Sequence, residues 1–276
     1  MTPEPDTHKR QVAGLFDLIA AGYDNPSQRW FARCAQRLVE RLGPARGARV
    51  LDAATGTGAA ATAAARAVGD EGRVHGIDLS AAMLERARAN VQQLSLANVE
   101  LQMMDAEHLD FDGADFDHVV CAFGLFFIPD MAAALRQWRR VLKPGGRLAF
   151  SSFAQSAFTP LRGLFAEDLS AFAEPPGEPG WYRLTDPAAV RALLQSAGFE
   201  SVETVEEQHG YHLPDADTWW EILWNTGFRA YLDALSPEQL AAFRARHLGR
   251  VAELVTDEGL WLDIATLFTT ARRPAR

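Results

Sequence analysis

Three aspartates, Asp52, Asp78 and Asp105, each close a short apolar run, and the first is followed at once by the turn Ala53-Ala54-Thr55-Gly56-Thr57-Gly58. A carboxylate at a strand tip can hold an ammonium group or a pair of hydroxyls through charge-assisted hydrogen bonds. Gly56 and Gly58 let the backbone turn sharply and approach a ligand. Strand, tight turn and helix in this order usually carry a nucleotide-like ligand, and chemistry separates the candidates. A nucleoside triphosphate is disfavoured because no Lys follows the glycines, so the loop lacks the cation that a phosphate-binding loop uses. A dinucleotide satisfies the loose pattern Gly56-x-Gly58-x-x-Ala61, with Asp78 twenty residues beyond Gly58. Asp52, however, puts negative charge at the mouth of the turn where a pyrophosphate would sit. A ligand with an ammonium group and no phosphate suits that carboxylate better.

The elements that must position these residues follow from the apolar pattern. Strands are predicted over 48–52, 73–79, 99–104, 114–123 and 147–153. Between them fall the alanine-rich helix Ala59 to Val68, a helix capped by Ser80 and running to about Leu94, and a helix from Asp130 to Leu142 before the turn Lys143-Pro144-Gly145-Gly146. Strand and helix in alternation with short connections predict an α/β, doubly wound, mostly parallel sheet whose ligand lies over the carboxyl ends of the strands. Two amphipathic helices precede it, His8 to Tyr23 and Pro26 to Leu42. After the linker Glu174 to Gly180, Asp186-Pro187 starts a helix that Gly198 stops, and Glu200 to Tyr211 alternates as a strand. A tryptophan-rich tract, Asp215 to Thr256, reads as two helices divided near Ser236-Pro237, and Trp261 to Thr270 reads as a seventh and last strand, antiparallel to the one before the tract. The domain reading is an N-terminal helical cap over 1–45, a core over 46–211 and 258–276, and a helical lid over 212–257.

With 276 residues, of which 48% are hydrophobic, the chain can bury a sizeable core. A net charge of −9 argues against gripping a nucleic-acid backbone, which needs clustered Lys and Arg, and favours a small-molecule partner. Cys34 and Cys121 give neither a disulfide framework nor metal-ligand spacing, so no metal is expected. The start MTPEPDTHKR lacks the pattern of a secretion signal, and no apolar run is long enough to span a membrane; the cytoplasm is the expected location.

S-adenosylmethionine carries an ammonium group and no phosphate, and at this point the chain resembles a known family. Val50 to Gly58, Gly76-Ile77-Asp78-Leu79-Ser80-x-x-Met83-Leu84, Asp105-Ala106-Glu107-x-Leu109, Phe116-Asp117, Ile128-Pro129-Asp130 and Arg140 to Gly146 occur in the order and spacing of the class I S-adenosylmethionine-dependent methyltransferases, of the type that includes the ubiquinone and menaquinone biosynthesis enzymes. The resemblance covers about residues 12 to 205 and implies a Rossmann-like fold. It implies that Asp52 lies near the methionine ammonium, that Ala54, Gly56 and Gly58 lie against the ligand, and that Asp78 takes both ribose hydroxyls. Leu79 and Met83 would pack on adenine, Asp105 and Ala106 would read its edge, Phe123 would present a carbonyl beside the sulfonium, and Tyr23 would close over the cofactor. Where the family usually has glycine this chain has Ala54, which should slightly restrict the turn.

Methyl transfer from a sulfonium asks the enzyme mainly to orient and desolvate two reactants, and orientation can supply about 7–11 kcal/mol. The loop Phe123-Gly124-Leu125-Phe126-Phe127-Ile128-Pro129-Asp130 carries no histidine where many relatives have one, so base candidates come from the C-terminal half: His209, His212, Tyr182 or Tyr211. Phe126, Phe127, Trp181, Trp219, Trp220 and Phe228 are expected to form an apolar wall and lid over a small, largely apolar or aromatic acceptor. The alternatives are a methyltransferase acting on tRNA or protein, and a non-enzymatic S-adenosylmethionine-binding protein.

Overall fold

The computed structural model describes residues 5–173 and 180–276, so the predicted linker lies, except for Gly180, outside them. Helices α1 (Pro5–Ile19) and α2 (Trp30–Leu42) precede β1 (Arg49–Ala53), α3 (Ala59–Val68), β2 (Arg73–Asp78), α4 (Ala81–Gln93), β3 (Val99–Met103), β4 (Phe116–Ala122), α5 (Met131–Val141) and β5 (Leu142–Phe153). These strands pair in parallel. Then come α6 (Leu161–Leu169), α7 (Pro187–Ser196), β6 (Glu200–Gln208), β7 (Tyr211–Leu213), α8 (Ala216–Trp224), α9 (Arg229–Leu232), α10 (Pro237–Ala252), β8 (Leu260–Leu262) and β9 (Ala265–Arg272). The last strand slots between β5 and β6, antiparallel to both. The sheet has seven strands in the order β3-β2-β1-β4-β5-β9-β6, the mostly parallel, doubly wound arrangement expected from the sequence. The order runs outward from the β1/β4 pair, and a crevice opens at their carboxyl ends. Among the described residues, no helix is long and apolar enough to cross a membrane.

The elements differ from the sequence expectation in the C-terminal half. The strand expected over Glu200 to Tyr211 is split into β6 and β7, and that expected over Trp261 to Thr270 into β8 and β9, with β7 and β8 pairing as a separate two-stranded sheet. At the break, Gln208 Oε1 accepts from the backbone N–H groups of Gly210 and Ile264, satisfying donors that the interrupted ladder leaves free. The insertion holds three helices, because the chain turns at Asn225 to Phe228 before α9; the predicted start of the last helix is a capping box between Ser236 and Gln239. Helix α6 was not anticipated, although Leu161, Phe165 and Leu169 repeat every fourth residue and are all buried.

The two N-terminal helices are attached differently. Trp30, Cys34, Leu38 and Leu42 form one buried face of α2 that packs into the same core as Val50 and Leu51, each large apolar side chain contributing about 1.5–3 kcal/mol. Helix α1 instead ends in a small cluster of Ile19, Ala20 and Met83, with Phe16 and Tyr23 against it. It therefore belongs to the crevice more than to the core.

The residue before α3, Gly58, comes close to α4: its φ is +86° and an added Cβ would lie 3.3 Å from that of Ala87. Gly58→Ala is expected to lower stability by about 1–2 kcal/mol in urea denaturation. Gly14→Ala, on an exposed helical position with nothing within 4 Å of the added Cβ, should leave it unchanged or slightly raised.

Candidate active site

A cavity of about 330 Å³ occupies the crevice. The turn Ala54 to Thr57 and the residues at or just past the ends of β2, β3 and β4 make its floor, α1 roofs it with Lys9, Val12, Ala13 and Phe16, and the segment Tyr23 to Arg29 closes one side with Phe31. The floor depends on Asp78. Its Oδ2 accepts from Gly56 N–H at 2.8 Å and its Oδ1 from Ser80 N–H at 2.9 Å, so one carboxylate ties the turn after β1 to the start of α4. Each oxygen keeps a lone pair for a ligand donor. Burial pushes this carboxyl above the usual range, against the three backbone N–H groups that favour its charge.

Ala54 and Phe123 directly follow β1 and β4, both line the cavity, and both are non-glycine residues in the left-handed region, at φ +58° and +53°. Such conformations cost about 1–3 kcal/mol each and persist where the surroundings impose them. The neighbour that permits it is Gly124, whose added Cβ would stand 2.7 Å from that of Ala54. The restriction expected at Ala54 is thus a strained backbone that a glycine opposite makes room for.

Aromatic rings form much of the remaining wall. Tyr23 stacks on Phe31 at 4.7 Å, Phe31 meets Phe123 edge-on at 5.7 Å, and Phe16 meets Phe127 edge-on at 5.1 Å. Desolvation, with Asp78 and Asp24 nearby, raises the Tyr23 hydroxyl well above the usual phenolic range. At the far end, Lys9 Nζ lies 2.7 Å from Asp105 Oδ2 and also pairs with Glu107. Burial would raise Asp105, but Lys9, the Glu107 N–H and His108 hold it below the ordinary carboxylate range.

Of the cofactor candidates from the sequence, Tyr23, Ala54, Gly56, Asp78, Leu79, Met83, Asp105, Ala106 and Phe123 border this cavity. Asp52 and Gly58 do not. Asp52 is fully buried below the turn, its Oδ2 accepting from the Thr55 hydroxyl at 2.6 Å and its Oδ1 without a partner. Thr55 stands between it and the cavity wall, and desolvation pushes the Asp52 carboxyl up to about 7. Gly58 serves the close approach of the start of α3 to Ala87 of α4 instead.

Of the substrate candidates, only Phe127 borders the cavity. Phe126 turns inward against Phe153, Trp181 stacks on Tyr182 at 4.4 Å, and Trp220 stacks on Trp224. Trp219 and Phe228 pack with Phe158 in the main core and do not reach the cavity surface. Trp219 is fully buried; its Nε1–H donates to His247 Nε2, and His247 Nδ1 lies 2.9 Å from Asp168 Oδ2, which puts the imidazole proton on Nδ1. Arg246 and Arg250 complete the pairing of that buried carboxylate.

None of the base candidates borders the cavity either. His209 packs on Phe268 beside Glu207, and burial lowers its pKa. His212 faces Trp261 on the small sheet, Tyr182 lies on Trp181, and the Tyr211 hydroxyl donates to Ser27 O at 2.6 Å. The lining residues not named as site candidates from the sequence include Lys9, Phe16, Gln28, Arg29, Phe31 and, although its motif was noted, Glu107. Their positions become visible only when the N-terminal segment folds over the sheet.

A methyltransferase-domain profile matches residues 50–146. The chain is 37% identical over 167 residues to the aklanonic acid methyltransferase of Streptomyces sp. strain C5, covering 57% of this chain and 76% of that one. It is 29% identical to the nocamycin O-methyltransferase of Saccharothrix syringae over 88% and 89% of the two chains. The crystal structure of the cyclase SpnF superposes with a TM-score of 0.63 at 21% identity over 97% of both chains, a likeness of fold.

The buried Asp52 makes stability depend on pH. Its pKa is raised from 3.8 to about 7 on folding, so its stabilising contribution is full below about pH 4 and is lost as the pH rises to about 7. The slope between is up to about 1.4 kcal/mol per pH unit. Denaturant titrations of the ligand-free protein from pH 5 to 8 should show this decline, and Asp52→Asn should flatten it; equal slopes in the two proteins would contradict the assignment.

Proposed function

The chain belongs to the class I S-adenosylmethionine-dependent methyltransferases, and on that premise we propose that it methylates a small, largely apolar or aromatic metabolite bound against the rings of Phe16, Phe31, Phe123 and Phe127. The observation that carries the substrate class is this aromatic wall, which lines the same cavity as the ends of β1 and β4. The chain's residues fit the cofactor. Asp78 offers two oxygens, each with a free lone pair, to a ribose diol, and a carboxylate there repels a phosphate. Leu79 and Met83 offer apolar faces to adenine, and Ala106 together with Asp105 offers its edge polar partners. When bound, the cofactor would supply an electrophilic sulfonium methyl, to which the acceptor's lone pair bonds in line as the carbon–sulfur bond breaks and the neutral thioether departs.

The protein's part is orientation and exclusion of water. Among the described residues no histidine lines the cavity, Tyr23 is held protonated by burial, and Asp105 is held ionised by Lys9. The wall thus suits an acceptor that arrives ionised or needs no strong base, such as an acidic hydroxyl or a carboxylate. Aromatic faces stabilise a cation in a dry site by about 0.5–2 kcal/mol, and the left-handed backbone at Phe123 puts a strained residue on the cavity wall.

Release of S-adenosylhomocysteine on incubation with a panel of phenols, carboxylic acids and amines tests the reading; turnover confined to tRNA or protein acceptors would overturn it. Asp78→Ala should weaken S-adenosylhomocysteine binding about 100-fold in calorimetry, because two charge-assisted hydrogen bonds are lost. Unchanged affinity would contradict the role given to Asp78.

A further inference from the structure

The chain from Phe123 to Asp130, between β4 and α5, carries part of the cavity wall: Phe123, Gly124, Phe127, Ile128 and Pro129 line it. Its regular structure is one 3-10 turn, Leu125–Phe127, closed by Phe127 N–H on Gly124 O and Ile128 N–H on Leu125 O, each at 3.1 Å. A single turn leaves the carbonyls at its end without partners of their own. Four consecutive ones, from Phe126 to Pro129, are instead met by two side chains from distant parts of the sequence. His8 Nε2 lies 3.2 Å from Phe127 O. The other three carbonyls belong to Arg183, whose Nη1 donates to Phe126 O at 3.3 Å and to Ile128 O at 2.8 Å, and whose Nη2 donates to Pro129 O at 2.8 Å.

Arg183 is itself tied to the core. It lies on the 3-10 turn Gly180–Leu184, where Trp181 packs on Phe153 and Phe158 and Leu184 is fully buried. The Leu184 carbonyl accepts from the Ser152 hydroxyl of β5 at 3.0 Å. This turn lies directly against the loop, since a Cβ added at Gly180 would stand 3.2 Å from Phe126 O. Asp130 and Glu107 favour the charge of the guanidinium, and Glu107 Oε1 accepts from the Asp130 N–H at 3.1 Å, so the far end of the loop is fixed as well. Arg183 does not line the cavity. Its planar fork of N–H groups spans three carbonyls at once, whereas a lysine carries all its donors on one atom.

The Phe127 ring meets Phe16 of the roof edge-on at 5.1 Å, a contact between apolar rings, so the place of the ring depends on the backbone that carries it. We propose that Arg183 is a positioning residue for the acceptor: by tying the carbonyls on either side of Phe127 to the core, it holds that ring where the acceptor must lie against it. The inference rests on the acceptor reading above. It separates acceptor from cofactor, because Asp78, Leu79, Met83 and Asp105 lie on other segments of the wall. Phe123, on the same loop, is fixed independently, its N–H donating to Ser151 O at 3.2 Å.

Umbelliferone, a fluorescent aromatic with an acidic phenolic hydroxyl, serves as the acceptor-side probe in titrations at saturating S-adenosylhomocysteine. Arg183→Met should weaken umbelliferone about tenfold while leaving S-adenosylhomocysteine within about twofold, and Arg183→Lys should recover part of the loss. Phe127→Ala should weaken umbelliferone too, and the double variant should bind it no more weakly than Phe127→Ala alone, because one residue acts through the other. Unchanged umbelliferone affinity in Arg183→Met or in Phe127→Ala overturns the proposal. So do losses that multiply in the double variant, and an equal loss of both ligands in Arg183→Met, which a distorted fold would produce. A wild-type protein that binds S-adenosylhomocysteine but not umbelliferone refutes the aromatic-acceptor reading and the proposal with it, and one that binds neither refutes the cofactor reading beneath both.

Discussion

The carboxylate of Asp78 holds the crevice together because it joins elements that the chain brings in from separate places. It takes the N–H of Gly56 from the turn after β1 and the N–H of Ser80 from the start of α4. Ser80 in turn caps α4 through the N–H of Met83 and donates its hydroxyl to Asp17 of α1. A single polar chain therefore runs from the roof of the cavity to its floor. The group that a cofactor's ribose would meet is also the group that keeps the floor in shape, so ligand binding acts on a site already formed.

Around this chain, the two helical additions are fixed by different physics. The C-terminal helices are fastened by apolar packing and by one fully buried network, Trp219 to His247 to Asp168, with Arg246 and Arg250 on the same carboxylate. Removing one partner from such a network leaves an uncompensated buried charge and is strongly destabilising. Helix α1 is held over the cavity by partly accessible polar contacts, Lys9 with Asp105 and Asp17 with Ser80, together with a few aromatic edges. Elements held in this way open at lower free energy than the core, and the element that covers the cavity is the one so held.

Several sequence motifs turn out to act away from the ligand. Asp117 accepts from the Arg49 N–H and from Lys143, which staples the start of β1 to the turn before the main part of β5. Arg140 donates to the carbonyls of Leu109 and Phe111, and Arg183 reaches the carbonyls of Phe126, Ile128 and Pro129. Gly58 likewise serves the approach of the start of α3 to Ala87 of α4. A motif spaced like a ligand site can owe its residues to the close packing that the site requires.

What the residues by themselves determined is the α/β alternation, the place of the crevice and the carboxylate at each strand end, because these follow from local periodicity and from the rule that parallel strands bind ligands at their carboxyl ends. The tertiary structure decided which acids reach the cavity and which are sealed beneath it: Asp52 and Asp78 both end buried strands, yet only Asp78 borders the cavity. It also decided which aromatics line it, since Trp219 and Phe31 have similar chemistry and opposite fates. The reason is physical. Alternation along a strand assigns a residue to a face, but whether that face meets solvent, a helix or a ligand depends on segments far away in the chain, here the folding of residues 5–32 across the sheet.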